Sequence, residues 1–201
     1  MGRLDKLART DPELLQKYSK IYFLNENYIP SALTQIPTEW TYGSQEEYFH
    51  RELWDELEEL MEDARDDGVE LRVISGYRAF EKQAQLKAAY TVRYGSGANA
   101  FSADQGYSEH QLGTTVDFTT EELGGNFTVI DDTKAFEWLT KNAHKYGFVL
   151  SYPDGNAFYV YEPWHWRYVG KKLAEDLHDG SMTFYDLDQR ELDEYLINFY
   201  D

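Results

Sequence analysis

Residues 148–169 read Phe148-Val149-Leu150-Ser151-Tyr152-Pro153-Asp154-Gly155-Asn156-Ala157-Phe158-Tyr159-Val160-Tyr161-Glu162-Pro163-Trp164-His165-Trp166-Arg167-Tyr168-Val169. Pro153-Asp154-Gly155-Asn156 is a strong hairpin turn, because proline presets the backbone for a turn and glycine tolerates its left-handed corner. The flanking runs predict two paired strands, 148–152 and 157–162, and Trp166 to Val169 predicts a further strand. Strands joined by hairpins and irregular loops, more than by regular crossover helices, favour an α+β fold with a central, mainly antiparallel sheet flanked by helices.

Working outward, Asn142 to Gly147 closes a helix predicted over 133–146, with Phe136, Leu139 and Ala143 facing inward. Thr114 to Phe118 reads as a short strand, and 95–108 as a polar loop. A helix is predicted over roughly 79–94. Val69 to Ile74 alternates like a strand. Ser44-x-x-Glu47 reads as a capping box, and Phe49, Leu53, Leu57, Leu60, Met61 and Ala64 continue at helical spacing to Gly68. Residues 25–43, with Pro30, Pro37 and Gly43, read as an irregular connection. Asp11-Pro12-Glu13 starts a short helix to about Lys20. From Lys171 onward the chain reads as one or two acidic helices. The domain reading is an N-terminal helical extension over 1–24, a core domain over 25–170 and an acidic helical segment over 171–201.

Composition bounds the function. The 201 residues suffice for one domain with a core, and 17 Tyr, 11 Phe and 5 Trp are too many for a disordered chain. A net charge of −18 repels phosphate backbones, so nucleic acid is not an expected partner, and anionic lipid is disfavoured. The plain reading of that charge is a solubilising surface. No run approaches the roughly 18 apolar residues of a membrane span. The opening residues lack the apolar stretch of a secretory leader, so either the protein is cytoplasmic or the chain begins after a removed one. With no cysteine, any zinc site must be built from histidine and carboxylate.

Of the five histidines, two sit in unusual company. His110 lies in Ser108-Glu109-His110-Gln111-Leu112-Gly113-Thr114-Thr115-Val116-Asp117. His165 lies in Glu162-Pro163-Trp164-His165-Trp166. A loop delivering His110 and a strand delivering Asp117 make a half-site for a divalent metal. Glu162 and His165 on a regular strand would face opposite ways, but Pro163 permits a kink that aims both inward. A third ligand from this segment would leave one metal position open for water, and a neighbouring carboxylate is suited to accept the water's proton. Taken singly, each short motif is equally satisfied by a packed core histidine, and neither resembles the helical HExxH signature.

Taken together the motifs resemble a family. Ser75-Gly76-Tyr77-Arg78 with Gln83, then Ser108-x-His110-x-x-Gly113-x-x-x-Asp117, then Glu162-Pro163-Trp164-His165, are similar in order and spacing to the VanY-type D-alanyl-D-alanine carboxypeptidases. These are zinc peptidases grouped with LD-carboxypeptidases, D-Ala-D-Ala dipeptidases and phage L-alanyl-D-glutamate endopeptidases. Asn142 to Phe148 resembles the family's helix-to-strand junction, and the resemblance covers roughly 22–170.

It implies a Hedgehog/DD-peptidase-like fold, with Zn²⁺ held by His110, Asp117 and His165. It implies Glu162 as catalytic base and Arg78 as a substrate-binding residue that also stabilises the oxyanion. Gln83 and Ser108 are implied as substrate contacts, although Gln83 reads equally as a solvated helix residue and Ser108 as a loop-shaping hydroxyl. The implied activity is removal of the terminal D-Ala from peptidoglycan stem peptides, DD- or LD-specific, outside the cytoplasm; the sequence does not give the oligomeric state, and a monomer is the favoured reading. The alternatives are an L-alanyl-D-glutamate-type endopeptidase and a non-catalytic, zinc-stabilised wall-binding module. Departures from the pattern (Asp104-Gln105-Gly106 before the Ser-x-His block, Thr115 and Trp166) touch the pocket's shape and remove no ligand. The plain readings are that Glu109 points away from the site, that His50 and His178 are solvated on acidic helices, and that His144 meets the last turn of its own helix.

Overall fold

The computed structural model describes residues 24–95, 102–156 and 160–197. Strand β1 (Leu33–Gln35) pairs antiparallel with β2 (Tyr48–His50) as a two-stranded ribbon. Helix α1 (Trp54–Asp66) leads to β3 (Arg72–Ser75), and α2 (Phe80–Tyr94) follows. Then come β4 (Thr115–Thr119), α3 (Lys134–Asn142), β5 (Phe148–Leu150) and β6 (His165–Tyr168). Helices α4 (Lys171–Gly180) and α5 (Gln189–Ile197) end the described chain. The main sheet has the order β3-β4-β6-β5, with every neighbour antiparallel. The α+β expectation therefore holds.

The core lies between this sheet and the helices. Helix α1 buries Leu57, Leu60, Met61 and Ala64, the face that helical spacing selects. Helix α3 adds Ala135, Trp138 and Leu139, and Val116, Phe118, Phe148 and Trp166 come from the sheet. Truncating a fully buried leucine here to alanine would cost about 2–5 kcal/mol. Two side-chain bonds lock α3 and the 3-10 turn after it (Ala143–Tyr146) onto α1 and its C-cap: Tyr146 donates to Asp63 at 2.6 Å and Trp138 to Asp67, the cap residue, at 2.8 Å. A second cluster joins Tyr152 to Leu173, Leu177, Phe184, Tyr185 and Leu187 of the C-terminal segment.

Several elements depart from the sequence reading. The helix expected from Ser44 starts only at Trp54, because residues 48–50 are captured as a strand by β1. Phe49 still reaches the core, from the middle of β2 rather than from a helix face. His50 accordingly sits on a strand. The strand expected over 69–74 is shifted to β3, and the irregular 25–43 connection contains β1. The second hairpin arm is partly outside the described residues (157–159), and 160–162 forms no regular strand, yet Glu162 N–H bonds Tyr152 O at 3.0 Å across the turn. The short helix expected near 11–20 lies outside the described residues. His144 stacks on His178 at 3.7 Å between ring centroids rather than serving only its own helix end. Among the described residues, no helix is long and apolar enough to cross a membrane.

Candidate metal centre

The sheet register builds the site. Asp117 on β4 stands opposite His165 on β6 and opposite Ser75 on β3. His110 comes from a 3-10 turn, Glu109–Leu112, that ends at Gly113 in the left-handed region (φ 74°). A side chain at Gly113 would meet Pro30 and Leu33 within 3.2 Å, so the turn that delivers His110 is closed by a residue with no Cβ. Gly76 is required for a different reason: a Cβ there would lie 2.4 Å from the Tyr48 carbonyl oxygen. That close approach threads 75–78 between β2 and the His110 turn. Gly76 N–H donates to Glu47 at 2.7 Å, and Tyr77 N–H to Tyr48 O at 2.7 Å.

His110, Asp117 and His165 are buried, and one ligand atom from each lies within 4.8 Å of the others. His110 Nε2 is 3.2 Å from Asp117 Oδ2, and His165 Nδ1 is 3.1 Å from Asp117 Oδ1. The outward nitrogens are also tied. His110 Nδ1 lies 2.8 Å from Gly76 O, and His165 Nε2 lies 2.9 Å from Glu109 Oε2. An acceptor on the far nitrogen of each ring holds a proton there, so the near nitrogen is the one left to offer a lone pair to a metal, the arrangement metal-ligating histidines use. Two imidazoles and one carboxylate with no thiolate form a donor set suited to catalytic zinc.

Electrostatics separates the carboxylates. Burial by itself would raise Asp117, but His110 and His165 outweigh it and hold it far below the usual range. Burial likewise opposes Glu109, and Arg167 and His165 override it to keep that group ionised. Glu162 is pushed up to about 7, chiefly by burial and further by Asp117 and Glu109, against the pull of His165 and Arg78. Its Oε2 lies 3.7 Å from His165 Nδ1. The kink expected at Pro163 is present: His165 N–H bonds back to Glu162 O at 3.0 Å, which brings both side chains to the same side.

Arg78 is 17% exposed at its side chain, with Nη2 3.7 Å from Asp117 Oδ2. Its guanidinium is aimed by Ser75 Oγ and Gln83 Oε1, each at 2.8 Å. Gln83 is itself buried, and its amide nitrogen donates to Ala103 O at 2.7 Å, so both ends of the group are engaged by protein. Ser108 is buried at the entry to the His110 turn. Sequence reasoning missed Glu109. It does not point away: it is fully buried and also bonds Ser151, Arg167 and Tyr185 at 2.8–2.9 Å. The one available signal was its position next to His110. Tyr152, also missed, stacks on the His165 ring at 4.7 Å.

Fold and cluster together define the class, an α+β protein whose antiparallel sheet carries a buried His/Asp/His centre suited to zinc. The model of the D-alanyl-D-alanine carboxypeptidase (VanY) family matches residues 46–171, and the chain belongs to that family. Among curated relatives, YodJ of Bacillus subtilis, which bears a carboxypeptidase name, is 34% identical over 181 residues, covering 86% of this chain and 66% of its own. A D-alanyl-D-alanine carboxypeptidase of Enterococcus faecalis is 32% identical over 179 residues, 82% of this chain and 64% of its own. The chain thus spans just under two thirds of each. Among solved structures, the LdcB LD-carboxypeptidase superposes with a TM-score of 0.71 at 33% identity, over 82% of this chain and 80% of that one. A VanY D,D-pentapeptidase in complex with Zn(II) gives a TM-score of 0.64 at 29% identity, over 89% and 99%.

Proposed function

We propose that the protein is a zinc carboxypeptidase that removes the terminal D-alanine from peptidoglycan stem peptides. The observation that carries this reading is the convergence of His110 Nε2, Asp117 and His165 Nδ1 beside the buried carboxyl of Glu162. In it, the first three residues hold the metal. Zinc, when bound, supplies Lewis acidity and brings the ionisation of water toward neutral pH.

Glu162 is the proton carrier. Its carboxylate oxygen accepts a proton from the water whose oxygen adds to the scissile carbonyl carbon. The same carboxyl then returns that proton to the amine nitrogen as the C–N bond breaks. A carboxyl group with a pKa near neutrality can both take and give that proton. Arg78, a permanent cation with several donors, faces the developing oxyanion and binds the substrate. Gln83 acts through Arg78 by fixing its Nη1, and Ser108 shapes the turn that presents His110. The names of the relatives, spanning LD- and D,D-cleaving enzymes, support peptidoglycan peptides as the substrate class. That polymer places the site of action outside the cytoplasm.

The test is mass spectrometry of defined muropeptides after incubation with zinc-loaded protein. Release of single D-alanine is expected, from pentapeptide or from tetrapeptide according to DD or LD specificity. A cut within the stem would make the protein an endopeptidase instead. Glu162→Ala should keep zinc and lose about 10²–10⁴-fold in turnover, while His165→Ala should lose both. Full activity in Glu162→Ala would end this mechanism.

A further inference from the structure

The family match ends at residue 171, yet the chain beyond it reaches the metal centre. Arg167 lies two residues after His165 on β6, so both side chains leave the same face of the sheet. Arg167 Nη1 donates to Glu109 Oε1 at 2.8 Å. The hydroxyl of Tyr185, from the short turn Phe184–Asp186 after α4, donates to the same oxygen at 2.9 Å. The other oxygen, Oε2, accepts from Ser151 Oγ at 2.8 Å and faces His165 Nε2 at 2.9 Å. The Phe184 ring lies 4.6 Å from the Arg167 guanidinium carbon, and Tyr152 stacks between His165 and Tyr185.

These contacts fix the chemistry. A carboxylate offers about four acceptor sites and no donor. Glu109 accepts from three donors, Arg167, Tyr185 and Ser151, and as an ionised carboxylate has only acceptor capacity left to present to His165 Nε2. That nitrogen must then keep its proton, which leaves Nδ1, whose proton goes to Asp117 in the metal-free protein, as the nitrogen that gives up its proton and offers a lone pair when a metal binds. An amide in place of the carboxylate has to turn an NH₂ either toward Arg167, which cannot accept, or toward His165. In the second case the ring is driven to the opposite tautomer, with no lone pair on Nδ1.

We propose that Glu109 is a positioning residue that sets the tautomer and orientation of His165, and that Tyr185 of the C-terminal segment holds Glu109 in that role. The segment beyond the family match is then a working part of the metal centre and not an appendage. This rests on the reading of His165 as a zinc ligand.

The test uses the full chain with Glu109→Gln, Tyr185→Phe and His165→Ala. Zinc affinity is measured by chelator competition, and the His165 Nε2–H resonance is followed by ¹⁵N-resolved NMR of the zinc-loaded protein. Wild type should show a slowly exchanging Nε2–H. Glu109→Gln should lose that resonance and bind zinc about 10–100-fold more weakly, and Tyr185→Phe should weaken zinc by about tenfold with a shifted resonance. If Glu109→Gln does not fold, because Arg167 is left buried and unpaired, Tyr185→Phe decides alone. Loss of zinc in His165→Ala, with wild-type affinity and resonance in Tyr185→Phe and in any folded Glu109→Gln, would overturn this proposal only. Unchanged zinc affinity in His165→Ala would overturn the ligand assignment itself.

Discussion

Beside Asp117, two glutamates flank His165, and their surroundings push them apart. Glu109 has Arg167 against it at 2.8 Å and stays ionised; Glu162 is buried without so close a cation and rises to about 7. Opposed environments of this kind suit the proposed division of labour between an orienting anion, Glu109, and a proton carrier, Glu162. A divalent cation at the cluster would favour ionised Glu162, so its working pKa lies at or below that value. We expect the acid limb of kcat/KM to fall about tenfold per pH unit below a midpoint at or under pH 7. The residual activity of Glu162→Gln should lack that limb. An unchanged limb in the variant would assign the titration to another group. At this scale the sequence was legible for the placement of the residues that the three motifs name, His110, Asp117, Glu162, His165 and Arg78, at one site. It was not legible for Glu109, whose partners Ser151, Arg167 and Tyr185 are 42, 58 and 76 residues away. A buried charge is recognised by its partner, and no local pattern announces one so distant.

Elements show where local pattern and tertiary pairing part company. Ser44-x-x-Glu47 satisfies the capping-box pattern, and Phe49, Leu53 and Leu57 recur at helical spacing. A strand whose middle residue faces the core meets the same hydrophobic demand at Phe49, and pairing with β1 decides in its favour. Glu47 is then freed from capping. Its carboxylate accepts the Gly76 N–H, so it braces the loop whose carbonyl anchors His110. The two assignments differ in what mutation costs. A true N-cap serine replaced by alanine loses about 0.5–2 kcal/mol. Here Ser44→Ala should change stability by less than about 0.5 kcal/mol, whereas Glu47→Ala should cost about 1.5–3 kcal/mol, the range for a hydrogen bond to a charged group. Urea unfolding of both variants checks this, and the reverse ranking would restore the helix reading. Elsewhere, β4, α2, α3 and the hairpin turn fell close to their expected places, because their caps, glycines and alternation are local signals.

For the whole molecule, metal, protons and fold are linked. Without metal, Asp117 and Glu109 carry pKa values below their ordinary range. Their contribution to stability is present above the unfolded carboxylate value near pH ~4 and is lost as pH falls through the folded values. His165 is shifted the other way: burial opposes it, but hydrogen bonds to Asp117 and Glu109 raise it to about 10. Its contribution is full below the unfolded value near pH ~6.5 and disappears as pH rises toward the folded one. Together these three groups contribute most to the metal-free protein between these limits, at mildly acidic pH. On the proposed ligand set zinc displaces the proton from His165 Nδ1, so its affinity should rise with pH across neutrality, by up to about tenfold per unit for one proton released. At a free zinc concentration of 100 Kd, the metal adds about 2.7 kcal/mol. For a chain of this size that is about 5–11 °C in Tm, at roughly 2–4 °C per kcal/mol. Thermal scans at fixed free zinc from pH 6 to 8, each paired with a chelated control, should show an increment that grows with pH. An increment independent of pH would mean that His165 gives up no proton to the metal, and no increment at all would mean that the cluster does not bind it.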